Sequence, residues 1–240
     1  EIERPYVPPM RVMHVDLDYI YDLDPVQQDK NLGLLLERIN SVGASAVFLQ
    51  AFSDDSGTGE AKSLYFPNRH LPMKSDLFSR ASWQIQKRTS ARKVFAWLPL
   101  LAFVPEDQVW FEKNRVVAFE DKPGIGYKRL SPFSGQSREY IADIYEDLAM
   151  HAHFRGILIH DDAVLSDYED INPEALKVYS QWGLPTDLQT IRSSADDAKR
   201  WASRKTEYLS NFANDLKVTA ERFRKPLSLA RNYYAGPMLN

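Results

Sequence analysis

Five short apolar runs, with helix-like segments between them, limit this chain to very few folds. The runs are RVMHVDLD (residues 11–18), SAVFLQAF (45–52), KVFAWLPLL (93–101), GILIH (156–160) and PLSLARNYY (226–234). None shows the clean two-residue alternation of a half-exposed antiparallel strand. Near-continuous apolar strands that alternate with helices are the pattern of a parallel sheet covered by helices. Helical character falls at residues 24–43, 82–91, 137–153, 173–182 and 195–223. In the first of these, Asp24 suits the N-cap and Pro25 the first helical position. Gln27 can complete a capping box, and Gly43 can end the helix in a left-handed conformation. Long loops follow the second and third strands, the latter over about residues 102–134.

The expected fold class is therefore α/β, with one domain over residues 11–240. The opening EIERPYVPPM has three prolines and no periodicity, so residues 1–10 read as a linker or tail. No GxGxxG or GxxxxGK follows the first strand, which removes the motif of a nucleotide-binding fold. No apolar run approaches the roughly 18 residues that span a membrane. The net charge of −3 comes from intermixed acids and bases, where a nucleic-acid binder would concentrate bases in a patch. With no cysteine, disulfides and thiolate metal sites are excluded.

In parallel α/β folds, chemistry gathers where the strands end. The ends here are polar and aromatic. The first strand ends in His14, Asp16, Asp18 and Tyr19, the second in Gln50, Phe52, Asp54 and Asp55, and the third in Trp97 and Pro99. The fourth ends in His160, Asp161 and Asp162, and the fifth in Arg231, Asn232, Tyr233 and Tyr234. Parity puts His14, Asp16 and Asp18 on one face and Met13, Val15 and Leu17 on the other, which should pack under the helices. By the same count Asp162 shares its face with His160 and should point inward.

Several of these stretches, among them MHVDLDYIYD, FLQAFSD, KVFAWLPLLAF, GILIHDDAVLSDYED and LARNYYAGPMLN, occur in order along the chain. They resemble the C-terminal glycoside-hydrolase-like domain of the bacterial poly-β-1,6-N-acetyl-D-glucosamine N-deacetylases of the PgaB/HmsF type. The resemblance implies a (β/α) TIM-type barrel, and five strands would be an incomplete or truncated portion of an eight-stranded one. It implies a domain that binds partly de-N-acetylated poly-β-1,6-glucosamine and, in some members, hydrolyses it. It places the protein in the periplasm, associated with the outer membrane through a lipid anchor on the missing N-terminal part. The partners implied are the polysaccharide and the outer-membrane export porin of the same system. The deacetylase domain would precede residue 1. The family's acidic groove maps onto Asp16, Asp18, Asp161 and Asp162.

Glycoside hydrolysis ordinarily needs two carboxyl groups, one of them a proton donor. A close carboxylate neighbour raises a pKa into the range that suits such a donor. On this reasoning Asp162 is the expected general acid and Asp161 its alternative. Asp16 or Asp18 would assist or hold a sugar ammonium, in a rim without compensating bases. His14 and His160 would orient carboxylates or meet hydroxyls. Tyr19, Trp97, Tyr233 and Tyr234 would stack on sugar rings, with Arg231 among the substrate-binding groups. No cofactor or metal is expected, and His151 and His153, on the opposite side of the sheet, are assigned to structure. Asp54 and Asp55 read as turn residues. Asp167, Glu169 and Asp170 read as a solvated loop or the start of the next helix. A binding module that holds the polymer during export without cutting it is the alternative reading.

Overall fold

The computed structural model describes residues 10–119 and 126–231. The linker expected at residues 1–9 and the rim residues Asn232, Tyr233 and Tyr234 lie outside them. Five strands form one parallel sheet: β1 (Val12–Val15), β2 (Ala46–Gln50), β5 (Lys93–Leu98), β6 (Gly156–Ile159) and β7 (Ser228–Arg231). Their spatial order, β1-β2-β5-β6-β7, is their order along the chain. Each crossover therefore moves the sheet in the same direction. Right-handed crossovers of one direction put the helices on one face and leave the other to curve inward, as in a barrel wall.

Parity separates the two faces. Val47, Leu49, Val94, Ala96, Leu98, Ile157 and Ile159 are buried in one core with the helices. The helices are α1 (Pro25–Val42), α2 (Phe78–Arg88), α4 (Gly135–His151) and α7 (Ala195–Ala220). Met13, Val15 and Leu17 join that core, as their parity requires. The opposite face carries a line of rings: His14 lies 5.0 Å from Phe48, and Phe48 lies 5.2 Å from Phe95, both edge-on. A second cluster joins Phe133, Tyr179 and Trp201 with α5 (Pro173–Gln181) and α6 (Leu188–Ser193).

The local signals at α1 act as their chemistry predicts, with one exception. Asp24 accepts from the Val26 N–H, Pro25 opens the helix and Gly43 closes it at φ 62°. Gln27 does not complete a capping box. It donates to Asn31 at 2.8 Å, and the Asp24 N–H goes to Asp22 instead. The first strand is also shorter than its apolar run, because a 3₁₀ turn, Leu17–Tyr19, takes over after Asp16. The long loops hold structure of their own. After β2 come β3 (Phe52–Ser53) and β4 (Ser63–Leu64), an antiparallel pair. After β5 comes α3 (Gln108–Asn114), capped by Asp107.

Candidate active site

All five strands are parallel, so their C-terminal ends share one rim, and the β6 end carries the acids that the sequence singled out. His160 continues the ladder, its N–H bonded to Leu98 O at 2.9 Å. Asp161 and Asp162 then part company. Asp162 is fully buried. One of its oxygens accepts from the Leu100 N–H at 3.0 Å, and the other from Leu101 and Ala102 at 2.6 and 2.7 Å. The expectation that Asp162 is the general acid is thereby corrected. A carboxylate with no exposed surface and both oxygens taken by backbone donors cannot reach a sugar. It ties the start of the β5–α3 loop to β6.

Asp161 keeps about a fifth of its side chain exposed. Its Oδ1 accepts from the Tyr127 hydroxyl at 2.8 Å and lies 3.0 Å from His160 Nε2, at an angle outside hydrogen-bond geometry. On its other side the His160 ring receives a bond of 3.1 Å from Trp97 Nε1 to Nδ1. An indole N–H can only donate, so Nδ1 bears no proton and the neutral ring carries its proton on Nε2, beside Asp161. The Tyr127 ring meets His160 edge-on at 5.6 Å, and Phe52 and Trp97 close the other sides. Gly59 makes this arrangement possible. Its φ is 74°, and a Cβ there would fall 2.4 Å from the Tyr127 ring and 3.1 Å from His160 Nε2.

The β1 end repeats the division. Asp18 is saturated: it accepts from the Tyr65 hydroxyl at 2.6 Å, Ser53 at 2.8 Å, and the Asp54 N–H and Gln50 Nε2 at 3.0 Å each. Burial alone would raise its pKa, but these bonds outweigh burial and hold it low. Burial, and then the bond to Asp18, raises the Tyr65 phenol, which keeps its proton as a donor. Lys74 completes the cluster, 2.9 Å from Ser53 Oγ, 3.5 Å from Asp18, paired with Asp55, and 4.8 Å from the centre of the Tyr21 ring. The expectation of a rim without compensating bases is corrected here. Asp54 turns the loop as expected, accepting from Thr58 and Gly59 N–H groups at 2.8 Å each.

Asp16, by contrast, starts the 3₁₀ turn without capping it. Burial raises its pKa, and Asp18 raises it further. His14, exposed at the edge strand, has its pKa lowered by burial of its ring against Phe48 and Trp97, an effect that Asp16 opposes. Tyr19 is 82% exposed and stands clear of the sheet. Arg231 donates to Ala163 O and so braces the segment after Asp162.

The segment behind the site is not the solvated loop expected around Asp167, Glu169 and Asp170. Only Asp167 is exposed. Glu169 pairs with Arg129 at 2.6 Å, both buried. Asp170 accepts from the Val117 and Asn172 N–H groups, and burial pushes its pKa up to about 6. Lys205 donates to Ser166 O and Glu169 O, with its pKa brought down to about 7 by burial. Asn172, not an acid, caps α5.

The family model for hypothetical glycosyl hydrolase family 13, GHL13, matches residues 14–240. The chain belongs to this family. The GHL13 chain is 41% identical over 235 residues to the poly-beta-1,6-N-acetyl-D-glucosamine N-deacetylase of Escherichia coli strain K12, which covers 96% of it. It spans only 35% of the length of that relative. The glycoside hydrolase domain of PgaB (BpsB) from Bordetella bronchiseptica superposes with a TM-score of 0.90 at 44% identity, over 95% of this chain and 66% of that one. An alpha-L-fucosidase from Paenibacillus thiaminolyticus, at 14% identity and a TM-score of 0.62, shares the fold. The GHL13 chain is thus a glycosidase-type domain built on part of a TIM-type barrel, as the sequence resemblance implied.

Sequence reasoning missed Tyr127, Gly59, Lys74 and Tyr65. Tyr127 and Gly59 had no signal beyond an unplaced loop. Lys74 and Tyr65 lie 56 and 47 positions from Asp18, and only the hairpin of β3 and β4 brings them back.

Proposed function

We propose that this GHL13 domain binds partly de-N-acetylated poly-β-1,6-N-acetyl-D-glucosamine across the β1–β6 rim and hydrolyses it. The observation that carries this reading is Asp161, a partly exposed carboxylate beside a phenol and a neutral imidazole, at the strand end where barrel enzymes place their chemistry. Asp161 is the general acid that protonates the leaving oxygen. Tyr127 and His160 orient it, and its proton returns from water after bond cleavage. Asp16, which has no hydrogen-bond or ion-pair partner among the described residues, faces the sugar ammonium or assists the attacking water. Tyr19 and Trp97 supply ring faces at the rim. The name of the Escherichia coli relative supports the substrate, and the hydrolase-domain name of the Bordetella bronchiseptica structure supports the reaction. On the same reading the domain works in the periplasm at the outer membrane, with the export porin of its system as partner.

The test is product analysis by mass spectrometry. The domain is incubated with β-1,6-glucosamine oligomers that are fully, partly or not de-N-acetylated. Shorter products only from chains that contain free amines are expected. Saturable binding without any product would replace the hydrolase by a binding module for export.

A further inference from the structure

A cleft opens between the loop after β4, the β5–α3 loop, α3 and the start of α4, lined by residues that the candidate active site does not use. It encloses about 490 Å³ and is lined by His70, Glu106, Trp110, Glu139, Tyr140 and Asp143, among others, with no lysine or arginine. That volume lies within the roughly 300–1,000 Å³ of pockets that hold small ligands. Glu139, Tyr140 and Asp143 come from one face of α4, Trp110 from α3, and Glu106 from the loop whose start Asp162 anchors.

Three rings form a stack here. Tyr140 lies 4.2 Å from His70 at 25° and 5.1 Å from Trp110 at 32°. The stack is fixed from behind, because His70 Nε2 bonds to Asp143 at 2.7 Å and Asp143 also holds Arg69. Asp107 is likewise occupied, capping α3 through the Trp110 N–H. With those structural acids set aside, Glu106 and Glu139 remain, both exposed and without a hydrogen-bond or ion-pair partner among the described residues. Burial raises the Tyr140 phenol, and the charge on Glu106 raises it further, which records a negative field across the rings.

A rigid aromatic face flanked by free carboxylates suits a flat ring that carries a cation. The carboxylates draw the ammonium, and an ammonium over a ring gains a cation–π attraction as well. No group of three or more His, Asp and Glu among the described residues is arranged to hold a metal ion. We infer that this cleft is an accessory subsite for a glucosamine residue of the same polymer, holding the chain on residues other than those of the β6 rim. The inference rests on the polymer reading above and adds a second point of attachment. Two linked attachments gain affinity only when one chain reaches both, so the cleft should matter for long chains and not for short ones.

The test pairs affinity with hydrogen exchange. The double variant Glu106→Gln/Glu139→Gln, whose exposed positions leave the core intact, should bind long, partly de-N-acetylated chains about tenfold more weakly. Its cleavage of short oligomers should equal that of the parent. In the parent, long chains should slow amide exchange in α3 and the first half of α4 as well as at the rim. Slowed exchange at the rim alone, with unchanged long-chain affinity in the variant, overturns the subsite and leaves the proposed function standing. No slowing at either place overturns both.

Discussion

The β1 rim and the β6 rim each present a pair of aspartates, and in each pair the two carboxylates have opposite surroundings. At β1, Asp18 is surrounded by four donors and a lysine, while the Asp16 carboxylate has no hydrogen-bond or ion-pair partner among the described residues. At β6, Asp162 is buried under three backbone N–H groups, while Asp161 is partly exposed beside the Tyr127 hydroxyl and the His160 imidazole. The two rims differ in their donors. Asp18 is bound mostly by side chains at a partly open surface, and Asp162 entirely by backbone in the interior. The comparison teaches that a pair of acids at a strand end can divide: one member is locked into the rim by several donors, and the other stays in a different, more open setting.

The division can be broken at the β6 rim first. Asp161→Asn removes a transferable proton and should lower the rate of oligomer cleavage by about 10²–10⁴-fold, the usual worth of general acid catalysis. Its denaturation midpoint should stay near that of the parent. Quantified products from a single time course, beside a urea melt, check both halves. An active variant would remove Asp161 from the chemistry.

Asp162→Asn should do the reverse. An amide offers one acceptor oxygen where three N–H groups converge, and leaves buried donors unpaired. The expected cost is about 3–5 kcal/mol of stability, read from the shift in urea midpoint. A variant that folds as well as the parent but fails to cleave would restore Asp162 to the catalytic role.

The smallest effect is expected at the β1 rim. Asp16 is only partly buried, so its attraction for an ammonium is screened by solvent and worth about 0.5–1 kcal/mol. Asp16→Asn should weaken oligomer binding by a few fold, and less as salt is added. Because burial raises the Asp16 pKa, its charge is present above that raised value and is lost as pH falls through it. The difference in affinity between parent and variant should therefore shrink on acidification, beginning above the ordinary aspartate range. Titration calorimetry across pH would show it, and a difference constant with pH would refute the assignment.

Much of the fold was legible because it depends on local signals. Asp24, Pro25 and Gly43 delimit α1 by their own backbone preferences. The parity of Met13, Val15 and Leu17 predicted their burial, since alternate side chains on a strand face opposite ways. The two-residue strands β3 and β4 were not legible, since two residues show no period. Nor was α3, seven residues long and inside a loop. The buried pair Arg129 and Glu169 looked like solvated charge because nothing in LSDYEDINP announces a partner 40 positions away.

By itself the sequence determined the parallel α/β order, the two ends of α1 and the gathering of acids at one edge, since these follow from residue spacing and short-range preference. It could not rank Asp161 over Asp162. The two are identical in type and adjacent in the chain, and their roles differ only by what surrounds them. The donors that take Asp162 come from residues 100–102, and the hydroxyl that orients Asp161 comes from residue 127. Only the folding of the segments before and after α3 against β6 brings those groups within hydrogen-bond reach, so tertiary structure alone decided which carboxylate is buried and which stays partly exposed.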